Sequence, residues 1–217
     1  MLGVKRMNQN FISFEGGEGS GKTTIIKQLK IDLEKQGFKV LQTREPGGSE
    51  IAEGIRQIIL NIANVKMDPR TEALLYAASR RQHLVEVILP ALQNGNIVLC
   101  DRFVDSSLAY QGYARGLGIN QIYELNRFAI EDLLPGLTIY LDLDPEIGLR
   151  RIKDNNRACN RLDLESLEFH KKVREGYLLI AKQYPTRIKV VNGSLSKEKL
   201  YEEVKKIVLD YFNINGD

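Results

Sequence analysis

Phe11-Ile12-Ser13-Phe14-Glu15 runs without a break into Gly16-Gly17-Glu18-Gly19-Ser20-Gly21-Lys22-Thr23-Thr24, and that junction decides the fold. The first five residues are a short, mainly apolar run of the kind that forms a strand covered on both faces. The next stretch spells GxxxxGK[ST], after which Ile26, Leu29 and Leu33 recur at helical spacing. Strand, glycine loop and helix in that order make a phosphate cradle. The glycines let backbone N–H groups converge, and the positive end of the helix points at the anion. Residues Gly16 to Thr24 are thus expected to hold ATP, with Lys22 on the β- and γ-phosphates and Thr23 on Mg²⁺.

Outward from this junction, strand-like and helix-like segments alternate: Lys39–Thr43, Ile97–Asp101, Leu137–Asp142 and Arg187–Val191 are the further strands. The pattern predicts an α/β protein, a doubly wound, five-stranded parallel sheet of the P-loop type, with ligands beyond the carboxyl ends of its strands. Gly37 marks the end of the first helix. A long helical segment opens near Pro69, with Leu74, Ala78, Val85, Ile88 and Leu92 as its apolar stripe. Val173, Tyr177 and Ile180 form another stripe, and Leu200, Val204, Ile207 and Tyr211 the last. Tyr76 and Arg80 lie opposite the long stripe, one turn apart, where a ring can stack on a base and a guanidinium can bond its edge. Arg81 falls inside the stripe and calls for a carboxylate partner. Ile97-Val98-Leu99-Cys100 ends in Asp101, a second carboxylate-bearing strand of the kind that orients Mg²⁺.

The chain has 217 residues, which suits one full-sized domain over 11–217 preceded by an N-terminal extension, 1–10. Met7 can itself serve as a start, which makes Met1–Arg6 an upstream extension. The formal net charge is only +3, too little to argue for a nucleic-acid partner. Cys100 and Cys159 show neither disulfide nor metal-ligand spacing, no run is long enough for a membrane span, and the cytoplasm is the expected location. A GTPase would carry DxxG and NKxD, and neither string occurs. A nucleic-acid motor would show stacking aromatics, yet there is no Trp. A small-molecule phosphotransferase remains. Arg44, Arg56, Arg80 and Arg102, with Arg150, Arg151, Arg157 and Arg161 in one polar stretch, suit phosphate oxygens. An acceptor phosphate is already ionised, so neither His83 nor His170 is needed as a base.

Phe14 to Thr24, then Arg44-Glu45-Pro46-Gly47-Gly48, then Asp101-Arg102-Phe103-Val104-Asp105-Ser106-Ser107-Leu108-Ala109-Tyr110-Gln111 together resemble the bacterial thymidylate kinases, and the likeness runs through nearly the whole chain from Phe11. The resemblance implies transfer of phosphate from ATP to dTMP. It implies that Glu18 meets the acceptor 3′-hydroxyl, that Arg44 and Arg102 hold its phosphate, and that Glu45 orders Mg²⁺ or water. Tyr76 would stack on thymine, Arg80 bond O4, and Arg56, Ser107 and Gln111 complete the pocket, with Tyr110 excluding a 2′-hydroxyl. Residues of about 150–163 resemble the family's LID, and Asn192-Gly193-Ser194 its adenine-binding loop. Eukaryotic members carry an arginine where this chain has Gly19, and bacterial members are thought to supply that charge from the LID. Arg157 and Arg161 are the nearest candidates here. A homodimer is also implied. The alternatives are another nucleotide kinase, one accepting dUMP equally well, or a nucleotide-binding regulator that has lost transfer. Intact Lys22, Asp101 and Arg102 speak against that loss.

Overall fold

The computed structural model describes residues 7–154 and 160–213. Its strands are β1 (Phe11–Glu15), β2 (Val40–Arg44), β3 (Ile97–Asp101), β4 (Leu137–Asp142) and β5 (Ile188–Asn192). They form one sheet, all parallel, in the order β2-β3-β1-β4-β5. The expected fold class is therefore present, with β2 and β5 each starting one residue later than the sequence pattern suggests. The chain leaves β1 towards β2 and β3 on one side and later returns to β4 and β5 on the other. That reversal opens a crevice at the carboxyl end of β1, where the glycine loop stands.

Side chains alternate across the sheet, so each strand feeds two cores. On one face Ile12, Phe14, Leu99, Ile139 and Val191 pack with Ile26, Leu29 and Leu33 of α1 (Lys22–Lys35) and Val204 of the C-terminal helix, Lys197–Phe212. On the other, Phe11, Val98, Cys100 and Tyr140 meet Val173, Tyr177 and Ile180 of the helix Leu167–Gln183. Met7 packs on this second core, and the Asn8 carbonyl accepts from Gly136 N at 2.8 Å, so residues 7–10 are packed against the fold.

The helix after Pro69 departs from its expected orientation. Between α1 and it lies α2 (Glu50–Leu60), and α3 itself spans Pro69–His83. Its buried residues are Glu72, Ala73, Ala77, Ser79, Arg80 and His83, while Leu74 of the supposed core stripe is 57% exposed. A π-helical turn, Leu84–Ile88, follows and inserts extra residues, so Ile88 and Leu92 are buried although Leu74, Ala78 and Val85 are exposed. The face that reads as polar is turned inward, towards the site. Arg81 does find its carboxylate, Glu131, at 2.8 Å.

Candidate active site

Gly16 opens the loop at φ 146°, and a Cβ there would stand 2.7 Å from the Leu141 carbonyl. Gly19 is tighter still. A Cβ on it would meet the Gly148 carbonyl at 2.3 Å, because the loop packs backbone to backbone against the helix Pro145–Asp154. No side chain fits at Gly19, which is why an arginine cannot sit there in this chain. Lys22 curls over the loop and donates to the carbonyls of Gly16 and Gly17, each at 3.0 Å. Burial, with repulsion from Arg102, pushes its pKa down to about 8. Thr23 Oγ1 donates to Asp101 Oδ2 at 2.9 Å, joining the first turn of α1 to the end of β3.

Immediately after Asp101 the backbone turns through Arg102 at φ 73°, a left-handed conformation that costs energy in a residue with a Cβ. The turn aims the guanidinium back at the loop. Arg102 donates to Glu18 Oε1 at 2.6 Å and to Tyr177 Oη at 3.2 Å, and lies 5.2 Å from the centre of the Tyr110 ring. Arg44 is gripped in a fork by Glu53, at 2.7 and 3.1 Å, and Arg56 donates to the Pro46 carbonyl at 2.7 Å. Burial and then repulsion from Arg44 hold the Arg56 guanidinium below its ordinary pKa. Like charges pressed together in this way are arranged to receive an anion.

One cavity of about 840 Å³ joins these parts. Glu18 to Thr24 line one end, with Arg151 and the segment Ser194–Lys197; Arg44, Arg56, Tyr76, Arg102, Tyr110 and Gln111 line the other. Arg151 donates to the carbonyl of Gly19 at 3.3 Å. Asn192 is not in the lining. Its side chain accepts from Ser194 N and Oγ and so shapes the loop that is.

Besides Asn192, four expected site residues are engaged by other groups of the fold. Glu45, expected at a metal, has its carboxylate buried and bonded to Arg80 Nε at 2.7 Å and to His83 Nδ1 at 3.1 Å. Each oxygen accepts one of these bonds, so Glu45 braces Arg80 from the cavity wall that it helps to line. Arg80 and Ser107 lie one layer behind the lining. Arg80 donates from Nη1 to Ser107 and Asn126 and from Nη2 to the Phe103 carbonyl, which leaves one Nη2–H among its donors. Arg161, expected to reach the transferring phosphoryl, is 4% exposed. It donates to the Ile59 carbonyl at 2.7 Å and pairs with Glu72 at 2.5 Å, directed away from the loop by the tight turn Arg161–Leu164. Arg157 lies outside the described residues, as does Cys159.

Two carboxylates went unnoticed in the sequence. Asp105, buried, takes a fork from Arg187 at 2.6 and 2.7 Å, fixing the segment after β3 to the start of β5. Glu15, fully buried, accepts from Phe103 N at 2.7 Å, Ser106 Oγ at 2.5 Å and Tyr177 Oη at 2.9 Å. It thereby fixes the turn that carries Arg102. Burial, then repulsion from Asp105, push its carboxyl up to about 7 from 4.5. Between those values the native chain holds a proton that the unfolded chain has released, so this group's contribution to stability falls as pH rises through the window. Glu15→Gln cannot ionise and lacks that slope. The wild type should lose ground to the variant between about pH 4.5 and 7, read as urea midpoints. A difference that does not change with pH would contradict this.

A glycine-loop triphosphate cradle facing a cationic, aromatic-walled pocket across one cavity defines a nucleotide-dependent phosphotransferase. The family model of thymidylate kinases matches residues 14–204. A thymidylate kinase of Clostridium novyi is 58% identical over 196 residues, 90% of this chain and 96% of the relative. One of Bacillus pumilus is 57% identical over 210 residues, 96% of this chain and 99% of the relative. The crystal structure of the Ehrlichia chaffeensis thymidylate kinase superposes with a TM-score of 0.74 at 35% identity, over 91% of this chain and 97% of the other. The chain belongs to the thymidylate kinase family.

Proposed function

We propose that this chain transfers the γ-phosphoryl group of ATP to dTMP, giving ADP and dTDP for dTTP synthesis. The observation that carries the proposal is the single cavity with the phosphate loop at one end and Arg44, Arg56, Arg102, Tyr76 and Gln111 at the other. In it ATP lies on residues 16–24, with Ser194–Lys197 beside the adenine. Arg102, with Arg44 and Arg56, grips the acceptor phosphate, and Glu18 receives the 3′-hydroxyl. Tyr76 stacks on thymine and Gln111 reads its edge, with Arg80 bracing the wall behind them. Tyr110, against the sugar, leaves no room for a 2′-hydroxyl.

The acceptor oxygen is already an anion, so the chain's task is alignment and charge neutralisation. Lys22 follows the charge on the γ-phosphoryl group as it separates from the β-phosphate, and Arg102 holds the attacking oxygen in line. Thr23 Oγ1 and Asp101 Oδ2, 2.9 Å apart, are hard oxygen donors that suit Mg²⁺, an ion that keeps most of its shell as water and phosphate. Bound with ATP, Mg²⁺ would offset charge on the phosphates. Residues of about 150–163 act as the LID, with Arg151, already at the loop, and Arg157 supplying the cation that Gly19 cannot.

Two copies of the chain pair, on this reading, through the apolar face left outside by α2 and α3, where Ile51, Ile58 and Leu74 are exposed. A monomer in sedimentation would oppose this. The cytoplasm is the location on this reading, and the buried free thiol of Cys100 suits a reducing compartment; among the described residues no helix is long and apolar enough to cross a membrane.

Adenosine and thymidine joined 5′ to 5′ through five phosphates should bind one per chain and compete with both ATP and dTMP. Competition with ATP alone would overturn the shared cavity.

A further inference from the structure

Gln111 lines the cavity, yet its residue is 1% exposed, so little of it can move. Its Nε2 donates to Glu72 Oε1 at 2.8 Å. Glu72, in the first turn of α3, is itself 1% exposed and takes further donors from two arginines. Arg115 gives Nε to Oε1 at 3.3 Å and Nη2 to Oε2 at 3.1 Å, and Arg161 gives Nη2 to Oε2. Burial opposes the charge, but Arg115 first, then Gln111 and Arg161, hold the Glu72 carboxyl below its ordinary range. An ionised carboxylate only accepts. It therefore dictates which end of the Gln111 amide it receives, and the Oε1 end is left for the cavity. That oxygen accepts no hydrogen bond from the described residues and is not among their enclosed, unpartnered atoms.

We infer that Glu72 is a positioning residue: it pins the Gln111 amide so that an acceptor faces the base, and so selects a nucleotide whose ring carries an N–H there. This rests on the reading of the cavity as a thymidylate pocket. Thymine and uracil present N3–H to that oxygen, whereas cytosine presents a bare N3, acceptor against acceptor. The pin is remote from the chemistry. Arg161 links it to the end of the LID segment, and Arg115 also pairs with Glu165 at 2.5 Å.

Glu72→Gln tests this, because an amide at position 72 can accept or donate and no longer forces one orientation on Gln111. In the variant the ratio of kcat/KM for dTMP to that for dCMP should fall roughly tenfold. The loss should appear in KM for dTMP, with kcat changed less than about threefold. N3-methyl-dTMP, which lacks the N–H, should lose less against dTMP in the variant than in the wild type. A purely structural role would depress all three substrates alike and leave the ratios standing, which would overturn the inference. A wild type that does not prefer dTMP to dCMP would instead overturn the thymidylate pocket itself. If Glu72→Gln does not fold, the wild type still decides. One Gln111 side-chain amide proton, assigned by its loss in Gln111→Met, should be protected from exchange before dTMP is added. Free exchange of both protons would sink the pin.

Discussion

Arg102→Gly should lower kcat/KM for dTMP by about 10³-fold, a loss on the scale of a charged group that acts on a phosphoryl transition state. Glycine is the cleaner substitution because the backbone at this position has φ 73° and glycine adopts that conformation without strain. The fold should therefore survive, and the thermal midpoint should move little. Two effects combine in the loss. The acceptor phosphate loses a guanidinium fork, and the Glu18 carboxylate loses the cation that paired with it at 2.6 Å. Adding Glu18→Gln should not restore the acceptor-phosphate contact. Arg102→Lys should recover little, because an ammonium cannot reproduce a planar fork. A loss below tenfold in Arg102→Gly would mean that Arg44 and Arg56 hold the phosphate without it.

Arg161→Met should act on stability rather than on rate. The side chain is 4% exposed and its partner Glu72 is 1% exposed, so removing it leaves a buried carboxylate with one arginine where it had two. Breaking a buried pair from one side costs about 3 kcal/mol, which for a chain of this size lowers the melting temperature by roughly 6–12 °C. At a temperature where the variant is folded, kcat should stay within about fivefold of wild type. The family resemblance alone predicts a different loss, in kcat, of at least about 10²-fold. That second outcome would mean that Arg161 leaves Glu72 and swings to the phosphates during turnover.

What the sequence revealed follows from the range of the forces involved. The cradle, the strand ending in Asp101 and the parallel sheet were legible because each is a local pattern: apolar runs, a glycine loop at fixed spacing, helical periodicity. The long helix misled because a π-helical turn at Leu84–Ile88 breaks the period on which the stripe was counted. An apolar face left outside by that turn looks, in sequence, like a core. Glu15 stands inside the most legible motif, yet nothing local shows that its acceptors serve Phe103, Ser106 and Tyr177, up to 162 positions away. Glu72 reads as an acid complementing a helix N-terminus, and only the fold brings Gln111, Arg115 and Arg161 to it. Gly19 shows the opposite case: the missing arginine is plain in the sequence, but its cause is the Gly148 carbonyl, 2.3 Å from where a Cβ would stand.

Phosphorus NMR of the wild-type chain with equimolar ATP and dTMP and excess Mg²⁺ follows the transfer itself. The γ-phosphate signal should fall to an equilibrium level while the signals of ADP and dTDP grow together in equal amount, with almost no inorganic phosphate, because the cavity passes the group to a bound acceptor. Release of inorganic phosphate in step with ADP, or no change on addition of dTMP, would contradict the account.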